Sequence, residues 1–354
     1  MDQMDQNFFA LSLQLNPFLP QILPVPTGAQ WTMKKKPFDS AKSLPSPPSS
    51  LPICVVLPIW NRWGYLQRSL QSVLKQSLPP QEVILVDDGS DSPLPREQGT
   101  KWAELFKAIG VKFRVLRNSE PLGVSQARNR AITETDLPWV ALLDSDDEWL
   151  PRRLEAQIEV LGRRPDLKLV HGEEIWVRRG VRVNPKKKHK KRGGRIFSDC
   201  VPRCCVSPSA TLVHRKTLLK VGLFDEGFPV CEDYDLWLRF CAEHEVGFVT
   251  EPILIKYGGH PNQLSNRYKA MDFWRVLALK NILNHASLTP TERQRVVQTI
   301  QNKCKILQKG YQKHQSSHPT QELNHYDNDL IARIEKELNP EALECGHLTG
   351  VDRV

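Results

Sequence analysis

A short acidic motif follows an apolar segment of the chain. The segment ends at Leu143, and Asp144, Ser145, Asp146 and Asp147 come directly after it. Carboxylates this close repel one another, and a bound cation relieves the repulsion. Mg²⁺ and Mn²⁺ bind a few carboxylate oxygens and complete their shell with substrate phosphates. The motif therefore predicts a metal-assisted phosphate site, although an acidic turn that caps the next helix would have the same residues.

Two further loops carry residues suited to a nucleotide. Asp87-Asp88-Gly89-Ser90-Asp91 ends a second apolar run, and Pro58-Ile59-Trp60-Asn61 ends the first. A glycine permits a sharp turn, and Asp and Ser side chains bond backbone amides in turns. If the two loops are neighbours, they could bind a nucleobase edge or a ribose. Taken alone, the second loop is an ordinary turn.

An arginine opens a helix between these acidic loops. Gly123-Val-Ser-Gln-Ala-Arg128-Asn129 places Arg128 one turn into the predicted helix. A guanidinium donates two parallel hydrogen bonds, which suits either a diphosphate or the carboxylate cluster. A surface salt bridge is the plainer alternative.

A second group of carboxylates begins a later helix. Glu232, Asp233 and Asp235 lie within four positions, and any of them could remove a proton from an attacking hydroxyl. Acidic residues also favour helix N-termini for electrostatic reasons alone. Further on, His260 follows the last predicted strand, where a neutral imidazole could bind a metal or donate to a phosphate. A single histidine in a loop is more often structural.

These residues are spaced by a repeated strand–helix pattern. Apolar runs are followed by stretches of helical periodicity, and the polar motifs lie at the carboxyl ends of the runs. Parallel α/β sheets bind ligands at that edge. The pattern predicts an α/β fold with a mixed, mostly parallel sheet flanked by helices and followed by a C-terminal helical extension. Neither a GxGxxG motif nor a P-loop follows the first strand, which argues against a dinucleotide or P-loop site.

The chain divides into four predicted regions. Residues 1–50 are expected to form a disordered, proline-rich arm, and residues 51–265 the α/β domain, with a nucleotide-binding half at 51–150 and an acceptor half at 151–265. A helical extension is expected at 266–313 and a polar tail at 314–354. The segment after Val246 is predicted as strands broken at Pro252.

The overall charge does not indicate a nucleic-acid partner. The chain of 354 residues has a formal charge of +9, and the run from Lys186 to Arg192 supplies six of these charges. A short basic run is usually a solvated loop, and it could also contact an anionic membrane surface. No stretch approaches the roughly 18 apolar residues of a membrane span. The expected location is therefore cytoplasmic, and residues 186–192 could contact the inner face of a membrane.

Taken together, the motifs resemble those of the family 2 glycosyltransferases of GT-A fold. The resemblance covers roughly residues 52–265 and rests on the order of the motifs around Pro58, Asp88, Arg128, Asp144 and Asp233. A departure is Trp60, where this family more often has tyrosine. The family transfers sugars from nucleotide-diphosphate donors with inversion, using Mn²⁺ or Mg²⁺.

The resemblance implies a role for each motif residue. Asp88 would bond the nucleobase, Pro58 would line its pocket, and Asp233 would be the general base. Further donor-binding positions would be Arg128, Asp144 and Ser145, with Asp144 close to the ribose or the metal. The metal-binding positions would be Asp146, Asp147 and His260. The acceptor, a saccharide, a lipid-linked molecule or another hydroxyl compound, has no motif. A nucleotidyltransferase or a non-catalytic nucleotide-binding protein remains an alternative, because both share the α/β layout.

Overall fold

The computed structural model describes residues 51–184, 189–259, 268, 270–317 and 328–338. The predicted arm at 1–50, the residues Lys186–Lys188 and His260 lie outside the described residues. No helix within the described ranges is long and apolar enough to cross a lipid bilayer.

The N-terminal half of the domain is a parallel sheet with alternating helices. Its elements are β1 (Ile53–Ile59), α1 (Trp63–Leu74), β2 (Glu82–Asp87), α2 (Arg96–Ala108), β3 (Lys112–Arg117), α3 (Val124–Glu134) and β4 (Trp139–Leu142). The strands lie in the order β3-β2-β1-β4, and all neighbours are parallel. Every residue of β1 and β2 is buried, as expected for strands covered on both faces. The predicted α/β fold is confirmed.

The second half of the domain extends the same sheet. Its elements are β5 (Glu148–Trp149), α4 (Arg153–Arg163), β6 (Leu169–Arg178), β7 (Val181–Val183), α5 (Phe197–Cys200), a 3₁₀ turn (Pro208–Ala210), β8 (Leu212–His214), α6 (Arg215–Val221), α7 (Glu232–Glu243) and β9 (Gly247–Gly258). The order continues from β4 as β8-β6-β9-β5, with β7 beside β6. β8 is antiparallel to β4 and β6, whereas β9 is parallel to β6 and antiparallel to β5.

The predicted interruption at Pro252 is a register shift within one strand. β9 is continuous, and its pairing with β6 changes register around Glu173, which lies opposite Pro252. Proline has no amide hydrogen to donate to the ladder, and irregular positions of this kind accommodate it.

The C-terminal segment is helical for longer than the sequence suggested. The helices are α8 (Met271–Leu283), α9 (Pro290–Ser317) and α10 (Asn328–Glu337). Pro290 begins α9, a position that proline favours. Part of the stretch expected as a polar tail is therefore helix, because Ile331, Ile334 and Leu338 recur at helical spacing and are buried.

Two apolar cores cover the two faces of the sheet. In β1, Cys54 and Val56 contribute to one core, whereas Ile53, Val55 and Leu57 contribute to the other. The first core continues through α7 into the apolar faces of α8, α9 and α10. The start of α7 is thus held between the sheet and the C-terminal helices.

Candidate active site

The loops after β1 and β2 are joined side by side. The Asn61 amide donates to Ser90 Oγ at 2.9 Å, and the Asp91 amide donates to Asn61 Oδ1 at 2.8 Å. Gly89 has φ of 66°, and an added Cβ would lie 2.3 Å from the carbonyl carbon of Glu120. Only glycine fits this close approach in a left-handed conformation. The two predicted nucleotide loops therefore form one continuous edge.

Asp88 organises the loop that leads into α3. Its Oδ1 accepts from Asn118 Nδ2 at 2.7 Å and from the Leu122 amide at 3.0 Å, and its Oδ2 accepts from the Gly123 amide at 2.8 Å. Asp88 is buried and also lines the central cavity. The contacts hold its carboxylate in one orientation at the edge predicted to bind a base.

Asp147 is held inside the acidic turn by two hydrogen bonds. Ser209 Oγ donates to its Oδ2 at 2.7 Å, and the Tyr257 amide donates to its Oδ1 at 3.1 Å. The Asp144 amide in turn donates to Ser209 Oγ at 3.0 Å. Burial and the neighbouring Asp146 raise the pKa of Asp147 well above its ordinary value, although Lys256 opposes the shift. Asp147 thus connects the turn to β9.

Two arginines lie against the other acids of this turn. Arg62 Nη1 donates to Asp146 Oδ2 at 3.1 Å, and Arg128 Nη2 donates to Asp144 Oδ1 at 2.7 Å. Arg128 Nη1 also donates to Glu232 at 2.8 Å, and its guanidinium lies over the ring of Phe224. Arg128 thus contacts the carboxylate cluster, which is one of the two partners expected for it.

The structure separates the three carboxylates at the start of α7. Glu232 forms the buried pair with Arg128, and burial raises its pKa to about 7. Asp235 is buried against Arg239, whose guanidinium also donates to two backbone carbonyls. Both therefore serve the packing of α7. Asp233 lines the cavity, as Glu232 does, but among the described residues it forms no ion pair with an arginine.

Asp233 has a thiol as its side-chain neighbour. Its Oδ2 accepts from Cys204 Sγ at 3.4 Å, and its Oδ1 accepts from the Tyr234 amide at 2.7 Å. A thiol is a weak donor and carries no charge to hold the carboxylate. Asp233 is thus the acid at this helix start best able to exchange a proton with a ligand.

One cavity of about 760 Å³ joins these groups. The predicted site residues that line it are Pro58, Asp88, Arg128, Asp144, Ser145, Asp146, Asp147 and Asp233. Trp60, the unusual aromatic of the first loop, lines it as well. The cavity lies at the carboxyl ends of the parallel strands, as predicted, and such edges are the usual ligand sites of α/β sheets.

Several lining or supporting residues were not predicted. Lys256 of β9 lines the cavity, and its ammonium donates to Ser207 Oγ at 3.2 Å. Ser207 and Ser209 belong to the segment Ser207–Thr211, which the sequence did not connect to any chemistry. The signal available for Lys256 was a charged residue directly after the apolar run Ile253–Ile255 of β9. Trp274 and Met271 of α8 complete the wall beside Asp233.

The end of the basic run, at Lys191 and Arg192, differs from the expected solvated loop. Lys191 forms a buried ion pair with Glu174 of β6, and Arg192 Nη2 lies 2.5 Å from Asp199. The side chain of Lys191 is only 8% exposed. Lys191 and Arg192 therefore anchor the end of the run to the fold.

The acidic turn suits a divalent cation in part. Within the described ranges, no three His, Cys, Asp or Glu side chains converge as a complete metal site. Mg²⁺ commonly takes only one or two carboxylates and fills its shell with water and substrate phosphates. Asp144 and Asp146 are two such groups, with side chains 26% and 13% exposed at the cavity. Asp147 suits this role less, because protein donors already bind both its oxygens.

Comparison with known proteins agrees with this geometry. A sequence model described as glycosyl transferase family 2 matches residues 54–220. The match covers 167 of the 354 residues, and this segment belongs to glycosyltransferase family 2. The matched part runs from β1 to α6 and contains the acidic turn, and Asp233 and Lys256 follow it.

Relatives and solved structures extend the likeness beyond that part. An uncharacterised glycosyltransferase of Rickettsia prowazekii, RP339, is 26% identical over 228 residues, which cover 60% of this chain and 66% of the relative. The Escherichia coli enzyme WfgD, named as a UDP-Glc:α-D-GlcNAc-diphosphoundecaprenol β-1,3-glucosyltransferase, is 25% identical over 64% of this chain and 85% of its own length. Staphylococcus aureus TarS 1–349, solved with UDP-GlcNAc, matches with a TM-score of 0.58 at 17% identity and 83% coverage of both chains. The chain thus spans just under two thirds of RP339 and shares its fold with TarS 1–349.

Proposed function

We propose that the protein is an inverting glycosyltransferase that moves a sugar from a nucleotide-diphosphate donor to an acceptor hydroxyl. The observation that carries the proposal is the single cavity that joins the Asp144–Asp147 turn to Asp233. The turn provides hard oxygen ligands beside the nucleotide edge. Asp233 provides a carboxylate that no arginine of the described residues neutralises through an ion pair.

The proposed reaction is one displacement at the anomeric carbon. The acceptor oxygen forms a bond to that carbon while the bond to the donor phosphate oxygen breaks. The bonding electrons leave with the nucleoside diphosphate, and the proton of the acceptor hydroxyl passes to Asp233. Attack from the side opposite the leaving group inverts the configuration.

The proposed reaction also includes a divalent cation, which would bind at the acidic turn. Asp146, together with Asp144, would hold Mn²⁺ or Mg²⁺, with Asp147 and His260 as further predicted ligands. When bound, the ion supplies Lewis-acid stabilisation of the negative charge on the diphosphate. Arg62, which contacts Asp146, positions that carboxylate at the cavity.

A uridine diphosphate sugar is the donor class we propose to test first. TarS 1–349 was solved in complex with UDP-GlcNAc, and the name of WfgD specifies a UDP-glucose donor and a lipid-diphosphate acceptor. The loop held by Asp88 lines the cavity at the edge where we propose that the base binds. The proposed acceptor is a hydroxyl of a saccharide, free or lipid-linked.

A donor screen tests the proposal. Purified protein is heated with Mn²⁺ and a panel of nucleotide sugars, and release of nucleoside diphosphate is then measured for the donors that stabilise it. A donor present at 100 times its Kd should stabilise the fold by about 2.7 kcal/mol. We expect stabilisation and release to require the metal and to disappear with a chelator. Absence of stabilisation by every nucleotide sugar would refute the proposal.

A further inference from the structure

We infer that the Lys256 ammonium binds the diphosphate of the donor and stabilises it as it leaves. This inference rests on the proposed transferase function and adds a binding residue to it. Lys256 lies outside the matched family segment, on the last strand of the domain, and the predicted roles left it without a function.

The strand places Lys256 beside the acidic turn. Its neighbour Tyr257 donates an amide hydrogen to Asp147, so the backbone of β9 is fixed against the turn at this point. Arg68 stacks on the Tyr257 ring with its guanidinium carbon 3.6 Å from the ring centre, and Tyr257 Oη donates to Glu148 at 2.8 Å. Lys256 therefore extends into the cavity from a rigid backbone.

The charges around Lys256 leave its ammonium available for a ligand. Glu174, on the neighbouring strand β6, pairs with Lys191. Among the described residues, no carboxylate forms an ion pair with Lys256, whose hydrogen bond goes to the neutral Ser207 hydroxyl. Arg62 and Arg128, by contrast, each contact carboxylates within 3.1 Å. Of these three cations that line the cavity, Lys256 is thus the one whose charge is not already paired within the described part of the chain.

The surroundings keep Lys256 protonated. Burial lowers its pKa, but Glu174, Asp147, Asp144 and Asp233 raise it, and the net shift is upward. An ammonium that is enclosed, charged and held by one hydroxyl is suited to a compact anion. Lysine binds phosphate as a point charge, and a departing diphosphate gains negative charge in the transition state. We assign this anion to the donor diphosphate and not to a phosphate of the acceptor. The reason is that Lys256 borders the same turn that is proposed to hold the cation.

The experiment compares ligands that differ only in phosphate. Binding of UDP and of uridine is measured by calorimetry with Mn²⁺ for the wild type, Lys256→Met and Lys256→Arg. We expect Lys256→Met to weaken UDP binding about tenfold or more, since the variant loses a charge-assisted hydrogen bond to the diphosphate. Uridine binding should be unchanged, and Lys256→Arg should retain most of the UDP affinity. Lys190→Met, at an exposed position of the basic run, is the matched control.

The outcomes separate this inference from the function on which it rests. Wild-type protein that does not bind UDP with Mn²⁺ removes support for the uridine donor. If the wild type binds UDP and Lys256→Met binds it with equal affinity, the assignment of Lys256 is overturned and the proposed transferase function is not. An acceptor phosphate as the true partner would give this second result.

A measurement on the wild type covers the case in which Lys256→Met does not fold. Reductive methylation of lysines is followed by mass spectrometry with UDP or uridine present. We expect UDP, but not uridine, to slow methylation of Lys256. Equal rates with both ligands would overturn the assignment.

Discussion

The carboxylates of the cavity differ chiefly in the groups that donate hydrogen bonds to them. Asp144 and Glu232 share one arginine, Asp146 has another, and Asp147 accepts from a hydroxyl and an amide. Within the described ranges, the donors to Asp233 are a thiol and an adjacent amide. Residue type alone therefore says little about role, because an acid forms a buried ion pair in one place and lines the cavity without an ion pair in another.

Asp233 is the acid whose replacement should affect chemistry and leave binding intact. In Asp233→Asn, the amide cannot accept the acceptor proton, and loss of a general base commonly costs about 10²–10⁴ in rate. We expect transfer to fall by at least about 100-fold, with UDP affinity within about twofold of wild type. Transfer kinetics and calorimetry on one preparation measure both effects. Asp166→Asn, at an exposed position outside the cavity, is the control, and a matching loss of UDP affinity in Asp233→Asn would make Asp233 a binding residue.

Glu232 should make the protein less stable as the pH rises. Burial raises its pKa from 4.5 to about 7 against the opposing effect of Arg128, so the folded state holds a proton that the unfolded state has released. Stability is then greatest below about pH 4.5 with respect to this group and falls until about pH 7, with a slope of at most about 1.4 kcal/mol per pH unit. Asp147, whose pKa is also raised, contributes in the same direction.

Urea unfolding between about pH 5 and about pH 7 checks this effect. We expect Glu232→Gln to have a flatter pH dependence than the wild type, since glutamine does not titrate. Glu104→Gln, on the exposed face of α2, should leave the slope unchanged. Identical slopes for the wild type and Glu232→Gln would contradict the raised pKa.

At the level of elements, the sequence predicted best the parts whose signals are local. The buried run Ile53–Ile59 and the helix starts needed only neighbouring residues, and the structure confirms the alternation. The site could be located because parallel strands bring their carboxyl ends together. Ser209 could not be identified in this way, because its role depends on contact with a turn 62 positions earlier in the chain. The burial of Lys191 could not be predicted from neighbouring residues either, because it depends on the ion pair with Glu174, a buried residue of β6.

The two lysines at the end of the basic run should differ sharply in their effect on stability. Lys191→Met leaves the Glu174 carboxylate buried without its partner, and breaking a buried pair commonly costs about 3–5 kcal/mol. Lys190 is exposed, and its replacement should change the free energy of unfolding by less than about 0.5 kcal/mol. Urea denaturation measures both. We expect Glu174→Gln to recover part of the loss in the Lys191→Met background, and equal effects of the two lysine variants would contradict the buried pair.

At the scale of the whole molecule, the cavity is assembled from distant parts of one sheet. The loops after β1, β2 and β4 give the nucleotide edge, whereas α7 and β9 give Asp233 and Lys256. The C-terminal helices continue the core that holds α7, and Trp274 of α8 packs edge-on to Phe228 with ring centres 6.0 Å apart. The extension thus supports the position of the proposed base.

The placement of β9 between β6 and β5 has a consequence for dividing this protein into parts. A fragment that stopped at residue 220, where the family match ends, would leave β6 with an open edge and β5 without its neighbour. Arg128 would keep Asp144 and lose Glu232. The segment matched by the family model is accordingly smaller than the smallest piece able to build the proposed catalytic centre, which must extend at least through β9.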